Sequence, residues 1–455
     1  MTVTVRPTTR RTFLSCAALA GSAAIIVPLE ALRARLRDGA LSDALTYGPL
    51  APVADGTTGL PLLHLPEGFR YVSFGWTGDP LEGGDVTPGA HDGMAAFAGP
   101  DGLVHLVRNH ELSPAPAFAP ALAYDPAAGG GTTTVAFNPA TERVERARAS
   151  LSGTLRNCAG GPTPWGSWLT CEETVLGPDD DPALTARHGY VFEVPLDGVP
   201  TRRPLAAMGR FVHEAVAVDP ATGIVYQTED ANRAGCYRFV PARPGRLAEG
   251  GRLQMLAVRG RPRADLRTRQ LTHVPLGVYW VDIAVPDVAR PGREGQSVFD
   301  QGRRVGGAMF ARLEGAWHAD GRIYLTSTSG GDAQMGQVWE LNPAADELRL
   351  IYESPGMHEL NMPDNLTVSP RGGLVLCEDG TANPCVHALT REGHITRFAR
   401  NNVVLAGERH GLAGDFRRSE FAGATFSADG RWLFVNVQNP GITMAVTGPW
   451  ERGSL

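Results

Sequence analysis

The sequence predicts an all-β fold, a six-bladed β-propeller with loop insertions, and three observations carry that prediction. One hairpin pattern recurs between residues 90 and 440. The chain holds 55 Gly and 35 Pro in 455 residues, so it turns often, and a bundle of long helices is excluded. Its hydrophobic fraction, 43%, is too high for disorder and sufficient for a large core.

The clearest copy of the pattern runs from His213-Glu214 through an apolar strand to the turn at Asp219-Pro220 and Thr222-Gly223. A second strand, Ile224 to Thr228, ends in Glu229-Asp230. Asp92 opens an earlier copy, with Asp101-Gly102 as its turn and Leu103 to Val107 as its second strand. Cys158 opens the next, turning at Pro164-Trp165-Gly166 before Ser167 to Glu173. Glu314, Asp364 and Glu420 open three more, with turns at Ala319-Asp320-Gly321, Arg371-Gly372-Gly373 and Ala428-Asp429-Gly430. Hairpins repeating every ~40–50 residues are the sequence form of a propeller. The starts lie 66, 56, 100, 50 and 56 residues apart, and the long gap reads as an insertion near 250–300. Gly189–Val194, Cys236–Val240 and Val338–Leu341 read as outer strands.

The N-terminus carries Arg10-Arg11-Thr12-Phe13-Leu14 before a modest apolar stretch, the pattern of a twin-arginine export signal over residues 1–30. Residues 31–455 then form one propeller domain, exported to the periplasm or secreted. No later apolar run is long enough to span a membrane, so no stable membrane anchor is expected. All 42 basic residues are arginine, which excludes P-loop nucleotide binding and lysine chemistry. A net charge of −6 with scattered arginines gives no basic face for nucleic acid. Cysteines 158, 171, 236, 377 and 385 leave an odd thiol after export. Cys377 with Cys385 and Cys171 with Cys236 are the candidate disulfides.

In a propeller, equivalent positions of the innermost strands form a ring around the channel. Here that ring is Asp92, Cys158, Glu214, Glu314, Asp364 and Glu420. A solitary acid near a strand start is ordinarily a solvated turn residue; one per repeat is metal-ligand chemistry. Carboxylates packed so densely need cations, with oxygen donors suiting Ca²⁺ and a thiolate suiting a transition metal. Glu111 and Glu173, at the ends of second strands, extend the candidate metal set. Arg312 lies two residues before Glu314, and strand alternation would put both on one face, as a clamp for a phosphate oxygen. Arg312 and Glu314 are the candidate catalytic pair.

Several stretches resemble the PhoX-type alkaline phosphatases: the twin-arginine leader, Arg156-Asn157-Cys158-Ala159-Gly160-Gly161 through Leu169-Thr170-Cys171-Glu172-Glu173, His213-Glu214-Ala215, Arg312-Leu313-Glu314-Gly315, Pro363-Asp364-Asn365-Leu366, and Leu433 to Gly441. The resemblance implies a six-bladed propeller holding Fe³⁺ and Ca²⁺, with the Cys158 thiolate on iron, the ring acids as ligands and Arg312 on phosphate. Phosphate-ester small molecules and the twin-arginine translocation machinery are the implied partners, and the protein is expected to be a monomer. Leu313, Gly315 and Asn439 depart from the family pattern, the first two beside the catalytic pair. Two other functions fit a propeller with channel acids, namely a calcium-dependent lactonase or phosphotriesterase and a non-catalytic binding module.

Overall fold

The computed structural model describes residues 47–455 except positions 100, 199, 293, 294 and 381. The expected export signal and the stretch up to residue 46 lie outside the described residues. Among the described residues the regular structure is almost entirely antiparallel β-strand, joined by turns and loops. No helix among the described residues is long and apolar enough to cross a membrane.

Each repeat found in the sequence starts a first strand: His91–Ala98, Asn157–Pro162, His213–Val218, Leu313–Ala319, Pro363–Val368 and Phe421–Phe426. Each pairs with a second strand across a Gly- or Asp-containing turn: Val104–His110, Ser167–Glu172, Val225–Glu229, Arg322–Ser327, Leu374–Glu378 and Leu433–Val437. The first strands touch their neighbours in a closed cycle, the last packing against the first. The arrangement is propeller-like.

Val191–Pro195, Cys236–Pro241 and Gln337–Asn342 are third strands. The latter two are covered by Gly251–Val258 and Glu347–Glu353, so only Val191–Pro195 is outermost in its sheet, and the expectation of three outer strands is corrected. The long gap carries the strand Pro275–Asp282 and the helix Val298–Arg304. That strand pairs with Gly251–Val258 on one side and Glu347–Glu353 on the other, fusing two runs into a nine-stranded sheet. At the far end Arg70–Phe74, from the start of the described chain, pairs with Ile442–Thr447 and closes the last sheet with main-chain hydrogen bonds.

Core side chains lie in layers between successive sheets. Phe137 and Phe434 meet between the last run and the first, while Trp339, on the fused sheet, packs edge-on against Phe310. Second strands such as Leu374-Val375-Leu376 are buried on both faces, so they read as continuous apolar runs rather than alternating ones.

All five described cysteines are buried free thiols, and neither expected disulfide forms. Cys377 lies opposite Val386 in the ladder, so Cys385, the next residue, faces the other side of the sheet. Cys171 and Cys236 pack into different layers, on opposite sides of one sheet.

Candidate active site

A β-bulge at the head of five of the six runs aims the ring residue. In the first run His91 pairs with His110, and the next pair is Met94 with Arg108, leaving an extra residue on the first strand. The same shift follows Asn157, His213, Leu313 and Pro363. A bulge re-aims the side chains within it, and here the first bulged residue is Asp92, Cys158, Glu214, Glu314 or Asp364, each buried.

The last run breaks the expected register. Its shift follows Ala422, so the equivalent position is Gly423, and Glu420 stands ahead of the strand. Glu420 nonetheless reaches the same place, with ligand oxygens of Asp92, Glu111 and Glu420 within 4.8 Å of one another. Glycine is required at 423: its φ is +62° and a Cβ there would lie 2.4 Å from the Asp92 carbonyl oxygen. Polar side chains of the second strands hold the ring's backbone across sheet boundaries. Asn436 donates to the Asp92 carbonyl (2.6 Å), Asn109 to that of Cys158 (3.0 Å) and Thr326 to that of Asp364 (2.6 Å).

Residues that directly follow second strands add a further tier that sequence reading caught only in part. Glu111 and Glu173 belong to it, together with Asp230 and Asp379, which are not among the candidate residues of the sequence. Each donates its N–H to the carbonyl two residues before the adjoining ring position, on Ala90, Arg156, Val212 and Met362 respectively. Their immediate predecessors point the other way. Glu172 accepts from the N–H groups of Leu155 and Gly189 and contacts His188 Nδ1 at 2.6 Å. Glu229 takes Gly235 N–H and Tyr237 O–H, and Glu378 takes the N–H groups of Asn361 and Cys385 and contacts His387 Nε2. These buried glutamates latch the starts of third strands, which accounts for the grouping of Glu378, Cys385 and His387.

Arg312 meets Glu314, but not by strand alternation. It precedes the strand Leu313–Ala319 with a left-handed φ of +43°, and its guanidinium contacts Glu314, Asp230 (2.9 Å) and Asp379 (3.9 Å). Burial opposes its charge, yet Glu314 and Asp230 outweigh burial and hold it protonated. Arg156 stands at the same point of the second run, φ +48°, and contacts Glu173 and Glu111 (3.0 Å). In sequence Arg156 belongs only to the Arg156–Gly161 motif, and its distance from Glu111 gives no signal of the pairing. Leu313 is fully buried, and a Cβ on Gly315 would meet the Asp364 carbonyl at 2.5 Å, so both departures serve packing. Asn439 donates to Gln438 Oε1, and Gln438 in turn donates to Glu111 (2.9 Å).

Electrostatically the ring is a concentration of unfavourable charge. Burial, then neighbouring carboxylates, push Asp92, Glu214, Glu314 and Glu420 well above the usual carboxylate range. Glu173 rises to about 9 through burial and its hydrogen bond with Asp230. Asp364 rises to about 7, chiefly through burial. Cys158 Sγ lies 2.7 Å from Glu214 Oε2, and the buried Asp92 Oδ1 has no hydrogen-bond partner. Buried acids this close are stable when cations sit among them, and donors of Cys158, Glu173 and Glu214 approach within 4.8 Å of one another. The residues fit a metal centre with one thiolate-containing pole and one all-oxygen pole.

Clustered buried acids that could hold metal ions, flanked by a guanidinium at the head of a propeller-like fold, are the equipment of a metal-dependent phosphate-ester hydrolase. The family model described as "Alkaline phosphatase PhoX" matches residues 45–148 and 126–441, most of the chain, and the protein belongs to that family. It is accordingly a phosphoric monoester hydrolase. Among solved structures, Pseudomonas fluorescens PhoX in complex with vanadate, a transition state analogue, is similar over 90% of this chain and 99% of its own, at 18% identity and a TM-score of 0.65. A gluconolactonase from Xanthomonas campestris shares 11% identity over 88% of this chain and 98% of its own, with a TM-score of 0.40. No curated protein sequence matches the chain.

Proposed function

We propose that the protein is an exported, metal-dependent alkaline phosphatase built on six blades, with a mixed centre of Fe³⁺ and Ca²⁺. Six first strands in a closed cycle support the blade count, with Pro275–Asp282 as an inserted strand bridging two blades. The single observation that carries the function is convergence: five bulges from five runs bring Asp92, Cys158, Glu214, Glu314 and Asp364 together beside Arg312.

Cys158, Glu173 and Glu214 would hold iron, since a thiolate favours a transition metal. Asp92, Glu111 and Glu420, all oxygen donors, would hold calcium, with Glu314 and Asp364 completing the ring. When bound, such cations supply positive charge to phosphoryl oxygens and lower the pKa of water at the site. The chain's own contribution is positioning. Asp230 fixes the Arg312 guanidinium from Nε, which orients its fork toward equatorial oxygens of a phosphomonoester as their charge grows. Glu314, held against Arg312, fixes that fork from the ring side.

The leader Arg10-Arg11 motif supports passage through the twin-arginine translocation machinery to the periplasm or beyond. The Arg70–Phe74 strand covers the edge of the last sheet, which suits a monomer, and the scattered arginines suit small phosphate esters rather than nucleic acid. The test is elemental analysis of natively exported protein, run beside p-nitrophenyl phosphate assays with and without calcium. Iron plus calcium with calcium-dependent turnover is expected; calcium alone, or turnover without metal, defeats the mixed-centre reading.

A further inference from the structure

Arg156 and Arg312 occupy one structural position in two different runs. Each lies two residues before a ring residue, Cys158 or Glu314, and each has a left-handed backbone, φ +48° and +43°. Each offers its carbonyl to the residue after the second strand, Glu173 N–H at 2.9 Å and Thr328 N–H at 2.8 Å. The scaffold does not ask for arginine there. Ala90 and Met362 fill the same position before Asp92 and Asp364, with φ of +47° and +56° and the same carbonyl hydrogen bond. Alanine and methionine serve the same backbone equally well, so the reason for arginine lies in what the two guanidiniums contact.

They are engaged to different degrees. Arg312 contacts Glu314, Asp230 and Asp379, and its side chain is 28% exposed. Arg156 contacts Glu111 and Glu173, both through Nη2, and its side chain is 44% exposed. Glu173 and Asp230, themselves hydrogen-bonded, separate the two guanidiniums. Arg156 is therefore one acid pair away from the phosphate clamp and keeps donors in hand.

We propose that Arg156 is a specificity-determining residue: it binds an anionic group on the alcohol portion of the phosphomonoester, so that the enzyme favours esters bearing a second negative charge. This rests on the reading of Arg312 as the phosphate-binding arginine. A planar fork suits a carboxylate or a further phosphate equally, and an ester with a neutral alcohol portion leaves it unused. The competing role is neutralisation of Glu111 and Glu173 alone.

A matched substrate pair separates the two. 3-Phosphoglycerate and glycerol 3-phosphate present the same phosphomonoester on a three-carbon skeleton, one ending in a carboxylate and the other in an alcohol. With metal-loaded, full-chain enzyme, kcat/KM for each is measured in wild type and in Arg156→Gln, with bound metal quantified on the same preparations. Wild type is expected to favour phosphoglycerate, and Arg156→Gln to lower that preference about tenfold, the order of one charge-assisted hydrogen bond. An unchanged ratio overturns the proposal. So does a parallel loss on both esters with loss of metal, which assigns Arg156 to neutralisation. Arg156→Lys keeps the charge beside Glu111 and Glu173 and serves where the glutamine variant fails to fold; a lowered ratio supports the proposal and a wild-type ratio ends it. Wild type that hydrolyses neither ester, nor p-nitrophenyl phosphate, defeats the phosphatase reading itself, a different result from lost discrimination.

Discussion

Cys158 Sγ lies 2.7 Å from Glu214 Oε2, two buried donors brought from neighbouring runs by equivalent bulges. Burial and the adjoining carboxylates push the thiol well above its ordinary pKa, so it is a poor free nucleophile and becomes a thiolate only beside a cation. Cys158→Ser is expected to lose iron and any sulfur-to-metal colour. Cys377→Ser, which alters an apolar layer with Val386, should keep both while costing about 1–3 kcal/mol of stability. Elemental analysis and visible spectra of the two variants check this; identical metal content would make Cys158 an ordinary core residue.

Metal removal should couple activity to stability, with a definite pH sign. With no cation beside them, burial pushes the Asp364 carboxyl up to about 7 and the Glu173 carboxyl up to about 9, both above their unfolded values. Groups with raised folded pKa values stabilise fully below their unfolded pKa, near 4, and lose that contribution as pH climbs through the folded values. Thermal melts of exhaustively chelated protein should therefore fall progressively from about pH 4, the unfolded value, to about pH 9, the higher folded value, and added calcium should restore them. A melting temperature insensitive both to chelation and to pH over that range would show that the acids do not share one site.

Arg312→Ala should lower kcat/KM by roughly 2–4 kcal/mol and weaken inhibition by inorganic phosphate. Metal content should stay intact, because a guanidinium is not a ligand. Arg312→Lys should recover only part, since an ammonium lacks the fork that Asp230 orients. Measuring phosphate inhibition and bound metal on one preparation decides it: a metal-replete alanine variant with wild-type inhibition removes Arg312 from the phosphate site.

Gly423→Ala tests the bulge that breaks the repeat. Its Cβ would stand 2.4 Å from the Asp92 carbonyl oxygen and 2.8 Å from Asn436 Nδ2, on a backbone with φ +62°. A loss of about 2 kcal/mol or more is expected from the strained φ together with displacement of Asp92. Denaturant melts read the first part and calcium affinity the second. Gly166→Ala, at a turn with φ +83° and open space around its Cβ, should disturb stability without touching calcium.

By itself the sequence determined the all-β class, the position of every first hairpin and five ring residues. Those follow from local facts: apolar runs bounded by Gly and Asp turns recur, and the same offset within each repeat lands at the same point of a strand. What lay beyond it depends on which way a side chain faces, and one residue of slip reverses that. The bulge in the last run decides that Gly423 rather than Glu420 holds the sixth position; alternation at the ends of second strands turns Asp230 and Asp379 to the site while Glu229 and Glu378 latch third strands. Facing also keeps Cys377 from Cys385. The approach of Arg156 to Glu111, the bridging strand Pro275–Asp282 and the closure by Arg70–Phe74 join segments distant in the chain. No local pattern encodes such pairings; they exist only once the sheets have packed in a closed cycle.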